Sequence, residues 1–193
     1  AGRNQFSFYQ ASSGLQNEEE LKLEQALRQA LRQQLLQVYY QPKFALQSGD
    51  IIGLEALVRW QDAELGMISP ALFIPLAEKL GLIHQLGEQV LRQVCHQLRR
   101  WGERALPVAV NISALQLAEA DFLPRLRAIL QQSDINASLL ELELTEGLLV
   151  GNVDDIIGKM KSLKESGISF SLDDYGTGYS SLAYLSRLPL DQL

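Results

Sequence analysis

Short apolar runs alternate along this chain with longer stretches in which apolar residues recur every three or four positions. The short runs read as strands and the longer ones as amphipathic helices. VYYQPKFAL and IIGLEALVRW are separated by Gln-Ser-Gly-Asp, which predicts a hairpin with Gly49 available for positive φ. Pro42 cannot donate to a ladder, so the first of these strands is expected at an edge or bulge. Three further strands are expected at 106–111, 139–144 and 168–172. Ser69-Pro70 opens a helix that Pro75 restarts and Gly81 ends. A helix over 83–100 stops at Gly102, and others follow near 114–118 and 121–132. The helix at 153–165 is capped by Asn152 and stopped by Gly167. A last one is expected near 179–187.

At the front, a helix is expected from Asn17, with Glu18, Glu19 and Glu20 favourably placed in its first turn. Its stripe of Leu23, Ala26, Leu27, Ala30, Leu31, Gln34 and Leu35 is expected to pack on the domain rather than on a partner helix. Residues 1–16 read as an upstream tail and a flexible Ser/Gly joint, and 17–193 as one domain. Strands separated by helices imply parallel pairing with right-handed crossovers. The expected fold is therefore α/β: a modified TIM-like (β/α) barrel whose first strand is antiparallel. Five strands are visible, and LDQL begins a sixth. A closed barrel needs about eight, so the barrel is expected to be incomplete in this chain.

Composition narrows the function. The 193 residues carry a net charge of −6 and no Lys/Arg run, which argues against a nucleic-acid polymer as partner. No apolar run reaches the ~20 residues of a membrane span. The single Cys95 leaves no internal disulfide and fits a reducing compartment, so a cytoplasmic location is expected. Cys95 itself reads as a small buried apolar residue. His84 and His96 lack neighbours at zinc-ligand spacing.

Candidate chemistry lies in or at the ends of the strand-like runs: Glu55, Asn111, Glu143, Asp173 and Asp174. In a parallel barrel such positions meet on the catalytic face. Four carboxylates and an amide form an all-oxygen donor set suited to Mg²⁺, Mn²⁺ or Ca²⁺. Without a cation, two carboxylates about 5 Å apart repel by roughly 3 kcal/mol at an effective dielectric near 20. Each residue also has a plainer reading. Glu141 and Glu143 share a strand face, which fits either cation-facing ligands or an exposed edge. Asp173-Asp174 fits an Asx-type turn before Gly176-Thr177-Gly178, and Asn111 fits a helix cap. An ionised Glu55, flanked by Leu54, Ala56 and Leu57, needs a partner.

Taken together, LEALVRW, VNIS, LELTE and LDDYGTGYSSLAYLSRLPLD resemble the EAL family of cyclic di-GMP phosphodiesterases, as do YQPKFAL and SPALFIPLAEKLGLI. The resemblance runs from about Leu35 to Leu193. AGRNQFSFY resembles the tail of a GGDEF diguanylate-cyclase domain, which implies an upstream GGDEF or sensory domain. The EAL resemblance implies that Glu55, Asn111, Glu143 and Asp173 ligate metal. It also implies that Asp174 serves a second metal and that Gln41 and Arg59 approach the nucleotide. Glu146 would brace the loop 174–181, with Gly176, Thr177 and Gly178, and couple it to a homodimer. The implied cofactors are two Mg²⁺ or Mn²⁺ ions, with Ca²⁺ inhibitory, and the implied product is linear pGpG. Tyr175 replaces the family's commoner Phe. The family's lysine on strand six and its general-base glutamate are expected beyond Leu193, so the fragment alone is expected to be inactive. The alternative is a non-catalytic cyclic di-GMP receptor or protein-interaction module. Such members typically lose the metal ligands, which here are retained.

Overall fold

The computed structural model describes residues 11–145, 153–173 and 187–192. Strands β1 (Gln37–Phe44) and β2 (Ile51–Asp62) form the predicted antiparallel hairpin. Gly49 turns it at φ 76° and donates its N–H to the Ala45 carbonyl at 2.8 Å. β4 (Val108–Ile112), β5 (Leu140–Thr145) and β6 (Ser169–Asp173) then add in parallel, giving the order β1-β2-β4-β5-β6. β1 lies at the edge, as Pro42 requires. Short β3 (Gly66–Ile68) folds back antiparallel on β2 and was not expected from sequence. Three residues are too few to show a period. Among the described residues the sheet does not close. Beyond β6, Asp191 N–H donates to the Phe170 carbonyl at 2.8 Å, and Gln192 forms one isolated parallel bridge to Ser171 at the segment where a sixth main strand was expected.

Strand alternation sorts the side chains. Val108, Val110, Ile112, Leu140, Leu142, Leu144, Phe170 and Leu172 are buried beneath the helices. The other parity carries Gln41, Lys43, Glu55, Asn111, Glu141, Glu143 and Ser171. The outer shell comprises α1 (Ala11–Gln33), α2 (Pro70–Lys79), α3 (Ile83–Trp101), α4 (Ala114–Ala118), α5 (Phe122–Ser133) and α6 (Val153–Lys164). Trp60 from β2 meets Phe73 from α2 edge-to-face, at 5.6 Å between ring centroids.

Two helix expectations are corrected. α1 begins at Ala11 rather than Asn17, so Glu18, Glu19 and Glu20 lie beyond its first turn. The Ser/Gly segment is helical because a Gly costs only about 1 kcal/mol in a helix and strong helix formers follow it. Pro75 does not restart a helix but lies within continuous α2. The Leu stripe packs within the chain as expected. Leu27, Ala30 and Leu31 are buried, and Gln89 and Gln93 of α3 donate to the Leu31 and Leu36 carbonyls. Asn152 and the helix expected near 179–187, up to 186, lie outside the described residues.

Candidate active site

The inner parity of the sheet builds the site. Register places Gln41 opposite Glu55, Glu55 beside Ala109, and Asn111, Glu143 and Ser171 in one row across β4, β5 and β6. Asn111 Nδ2 donates to Glu55 Oε1 at 3.0 Å, which supplies the partner that Glu55 needed. Asn111 does not cap the following helix. Ser113 does, accepting from the Leu115 N–H, while Gln116 accepts from the Ser113 N–H at 3.0 Å. The amide of Asn111 is thereby left to the carboxylate.

Glu141 and Glu143 are not on an exposed edge. Each is 8% exposed, between β4 and β6. Lys43 of β1 reaches both, with Nζ 3.4 Å from Oε1 of each. Ser171 Oγ donates to Glu141 Oε1 at 2.6 Å. Burial works against the charge on Lys43, but attraction to Glu143 and Glu141, with its hydrogen bonds to them, holds its pKa above the ordinary lysine value. Sequence reading missed Lys43 and Ser171. The only available signal was their place on the same sheet face as the glutamates, Ser171 on the next strand and Lys43 three strands away.

Asp173 ends β6, in register with Thr145. Asp174, Glu146, Gly176, Thr177 and Gly178 lie outside the described residues. Among the described residues, no three His, Cys, Asp or Glu side chains form a metal-holding group. The oxygen donors that are described nevertheless fit a hard cation. Glu55 and Asn111 are already in contact, and Glu143 is the register neighbour of Asn111.

Arg59 is half-buried on the same parity of β2. Its guanidinium carbon lies 5.9 Å from the Tyr39 ring centroid, and Nη1 donates to the Val58 carbonyl at 2.9 Å. Gln41 is exposed. Next to Arg59 and Asn111 opens a cavity of about 240 Å³, with walls that include Ala56, Ile74, Leu86, Val90 and Ile112. Cys95 takes no part. It is buried, and burial pushes its thiol up to about 11.

A second set of contacts fixes the segment after Asn111. Ser113 Oγ donates to Glu78 Oε1 at 2.5 Å, tying α4 to α2. Gln116 is buried against Gly87 of α3, where an added Cβ would stand 1.7 Å from Gln116 Nε2. Gly87→Ala must therefore expel Gln116 from its cap. Thermal melting should register a loss of about 1–3 kcal/mol, and an unchanged melt would show that Gln116 has room to move.

A sequence profile described as "EAL domain" matches residues 24–193. The chain belongs to the EAL domain family. Cyclic di-GMP phosphodiesterase NbdA of Pseudomonas aeruginosa is 46% identical over 195 residues, covering 100% of this chain and 25% of that protein. The bifunctional diguanylate cyclase/cyclic di-GMP phosphodiesterase MucR of the same organism is 43% identical over 195 residues, covering 100% of this chain and 28% of its own length. This EAL chain thus spans about a quarter of the curated relatives it matches. The solved structure "PaMucR Phosphodiesterase, c-di-GMP complex" superposes with a TM-score of 0.81 at 44% identity, over 88% of this chain and 70% of that one. Its neighbours in structure are EAL domains, whose fold is a TIM-like barrel. No helix among the described residues is long and apolar enough to cross a membrane.

Proposed function

We propose that the protein containing this chain hydrolyses cyclic di-GMP to linear pGpG in a reaction that depends on Mg²⁺ or Mn²⁺. The observation that carries the reading is the Glu55–Asn111 contact beside Glu143 on the inner face of an EAL-type sheet. Relatives named cyclic di-GMP phosphodiesterases at 43–46% identity support it. A phosphodiester is anionic and this face is acidic, so the substrate needs positive charge there. When bound, divalent ions supply that charge and acidify a water for attack on phosphorus.

The residues of the chain divide the remaining tasks. Glu55, Asn111, Glu143, Asp173 and Asp174 would hold the ions. Asn111 also orients the Glu55 carboxylate through its amide. Arg59 and Gln41 face the nucleotide. Glu146 braces the loop 174–181, with Gly176, Thr177 and Gly178, and links it to a homodimer. Ca²⁺ is inhibitory, because it tolerates larger and looser coordination than Mg²⁺. A GGDEF or sensory domain upstream fits the relative MucR, whose name includes diguanylate cyclase, and the site faces the cytoplasm.

The test is product analysis. Cyclic di-GMP is incubated with the full-length protein with and without Mn²⁺, and pGpG is separated chromatographically. Tight nucleotide binding with no pGpG would favour the receptor reading. Glu146→Ala is expected to lower turnover roughly tenfold or more while cyclic di-GMP affinity changes less. Wild-type turnover in that variant would remove Glu146 from the mechanism.

A further inference from the structure

We infer that Lys43 is a resident cation of the barrel interior, one that a divalent metal must displace from Glu143 in order to bind. The inference rests on the reading of Glu143 as a metal ligand. Lys43 projects from β1, at the edge of the sheet, and Glu143 from β5. The ammonium is nevertheless equidistant from Glu141 and Glu143, 3.4 Å from Oε1 of each. Both carboxylates are buried, and they lie two residues apart on one strand face. Two like charges placed this way repel each other. One ammonium shared between the two offsets part of that repulsion without any metal.

Glu141 lies deeper in the strand than Glu143 and has a second tie, the 2.6 Å hydrogen bond from Ser171 Oγ. It therefore holds the ammonium in place whether or not Glu143 is engaged elsewhere. A metal arriving at Glu143 takes over that carboxylate and meets a fixed positive charge nearby. Lys43 thus steadies the metal-free site and weakens its hold on metal. A mere packing role for Lys43 would affect stability and leave metal affinity untouched. A role in positioning Glu143 would make metal binding weaker when Lys43 is lost. Displacement makes it tighter.

Mn²⁺ alone is the probe, titrated into the full-length protein with the free ion followed by electron paramagnetic resonance. Lys43→Met should bind Mn²⁺ on the order of tenfold more tightly, the effect of one unit charge in a partly solvated site. The same variant should melt at a lower temperature without metal and gain more from saturating Mn²⁺ than the wild type does. Lys43→Arg keeps the charge and should keep wild-type affinity within about threefold. If Lys43→Met folds poorly, the pair Lys43→Met/Glu141→Gln removes both charges together. It should still bind Mn²⁺ more tightly than Glu141→Gln alone. Equal or weaker binding in the Lys43 variants than in their parents would overturn the inference. Glu143→Gln separates the two ideas. Wild-type Mn²⁺ affinity in that variant would overturn the ligand reading, and displacement with it.

Discussion

Glu55→Gln should abolish metal-dependent hydrolysis of cyclic di-GMP, by roughly a thousandfold or more, which is about 4 kcal/mol of transition-state stabilisation. The substitution keeps the shape of the side chain. It still offers Asn111 an oxygen to donate to, in place of the 3.0 Å contact with the carboxylate. What it removes is the charge, and an amide is a poor substitute for a carboxylate at a divalent ion. Circular dichroism and melting temperature should stay near wild type, because Glu55 lies outside the apolar core. Initial rates at saturating Mn²⁺ provide the measurement. Activity within tenfold of wild type would show that Glu55 holds no metal needed for turnover. Loss of both activity and fold would instead assign it a structural role.

The largest stability effect is expected on the other face of the same strand. Trp60 is fully buried and packs edge-to-face on Phe73. Trp60→Ala should cost about 3–5 kcal/mol, a large part of the 5–15 kcal/mol by which domains are usually stable. Urea unfolding read through the remaining Trp101 should show the midpoint fall with little change in slope. Trp60→Phe should lose much less. The buried indole Nε1–H has no acceptor among the described residues, so removing it sacrifices no hydrogen bond made to them. Equal losses in the two variants would place the cost in the N–H rather than in the ring volume.

Much of this fold was legible because its strands are short apolar runs with Gly and Pro between them. The hairpin around Gly49, the edge position of β1 and the parallel order of β4, β5 and β6 follow from those signals. The candidate site is proposed from residue types in or at the ends of strand-like runs; Asp173 ends β6 and Asn111 lies one residue before the end of β4, while Glu55 lies within β2. Its wiring was not legible. Lys43 and Glu141 are 98 residues apart, and Ser113 and Glu78 are 35 apart. No local period encodes such contacts, and only the sheet register brings the first pair together. Helix boundaries failed where a local signal pointed the wrong way. Ser12, Ser13 and Gly14 suggest a joint but belong to α1, and Pro75 suggests a break but lies within α2. In both cases the neighbouring turns outweigh the local preference.

The alternation of the strands has a consequence for inheritance. Even-numbered positions such as Ala56, Trp60, Val108, Val110, Leu142 and Leu144 build the apolar core, whereas odd-numbered ones such as Glu55, Asn111 and Glu143 belong to the proposed site. A random substitution in β2, β4 or β5 therefore meets a different kind of selection from the one that its neighbour meets. Where selection on the inner face relaxes, its exposed positions can vary while the apolar parity keeps the sheet packed. A non-catalytic descendant of this fold is one parity away, with its outer shell intact and its inner face free to vary.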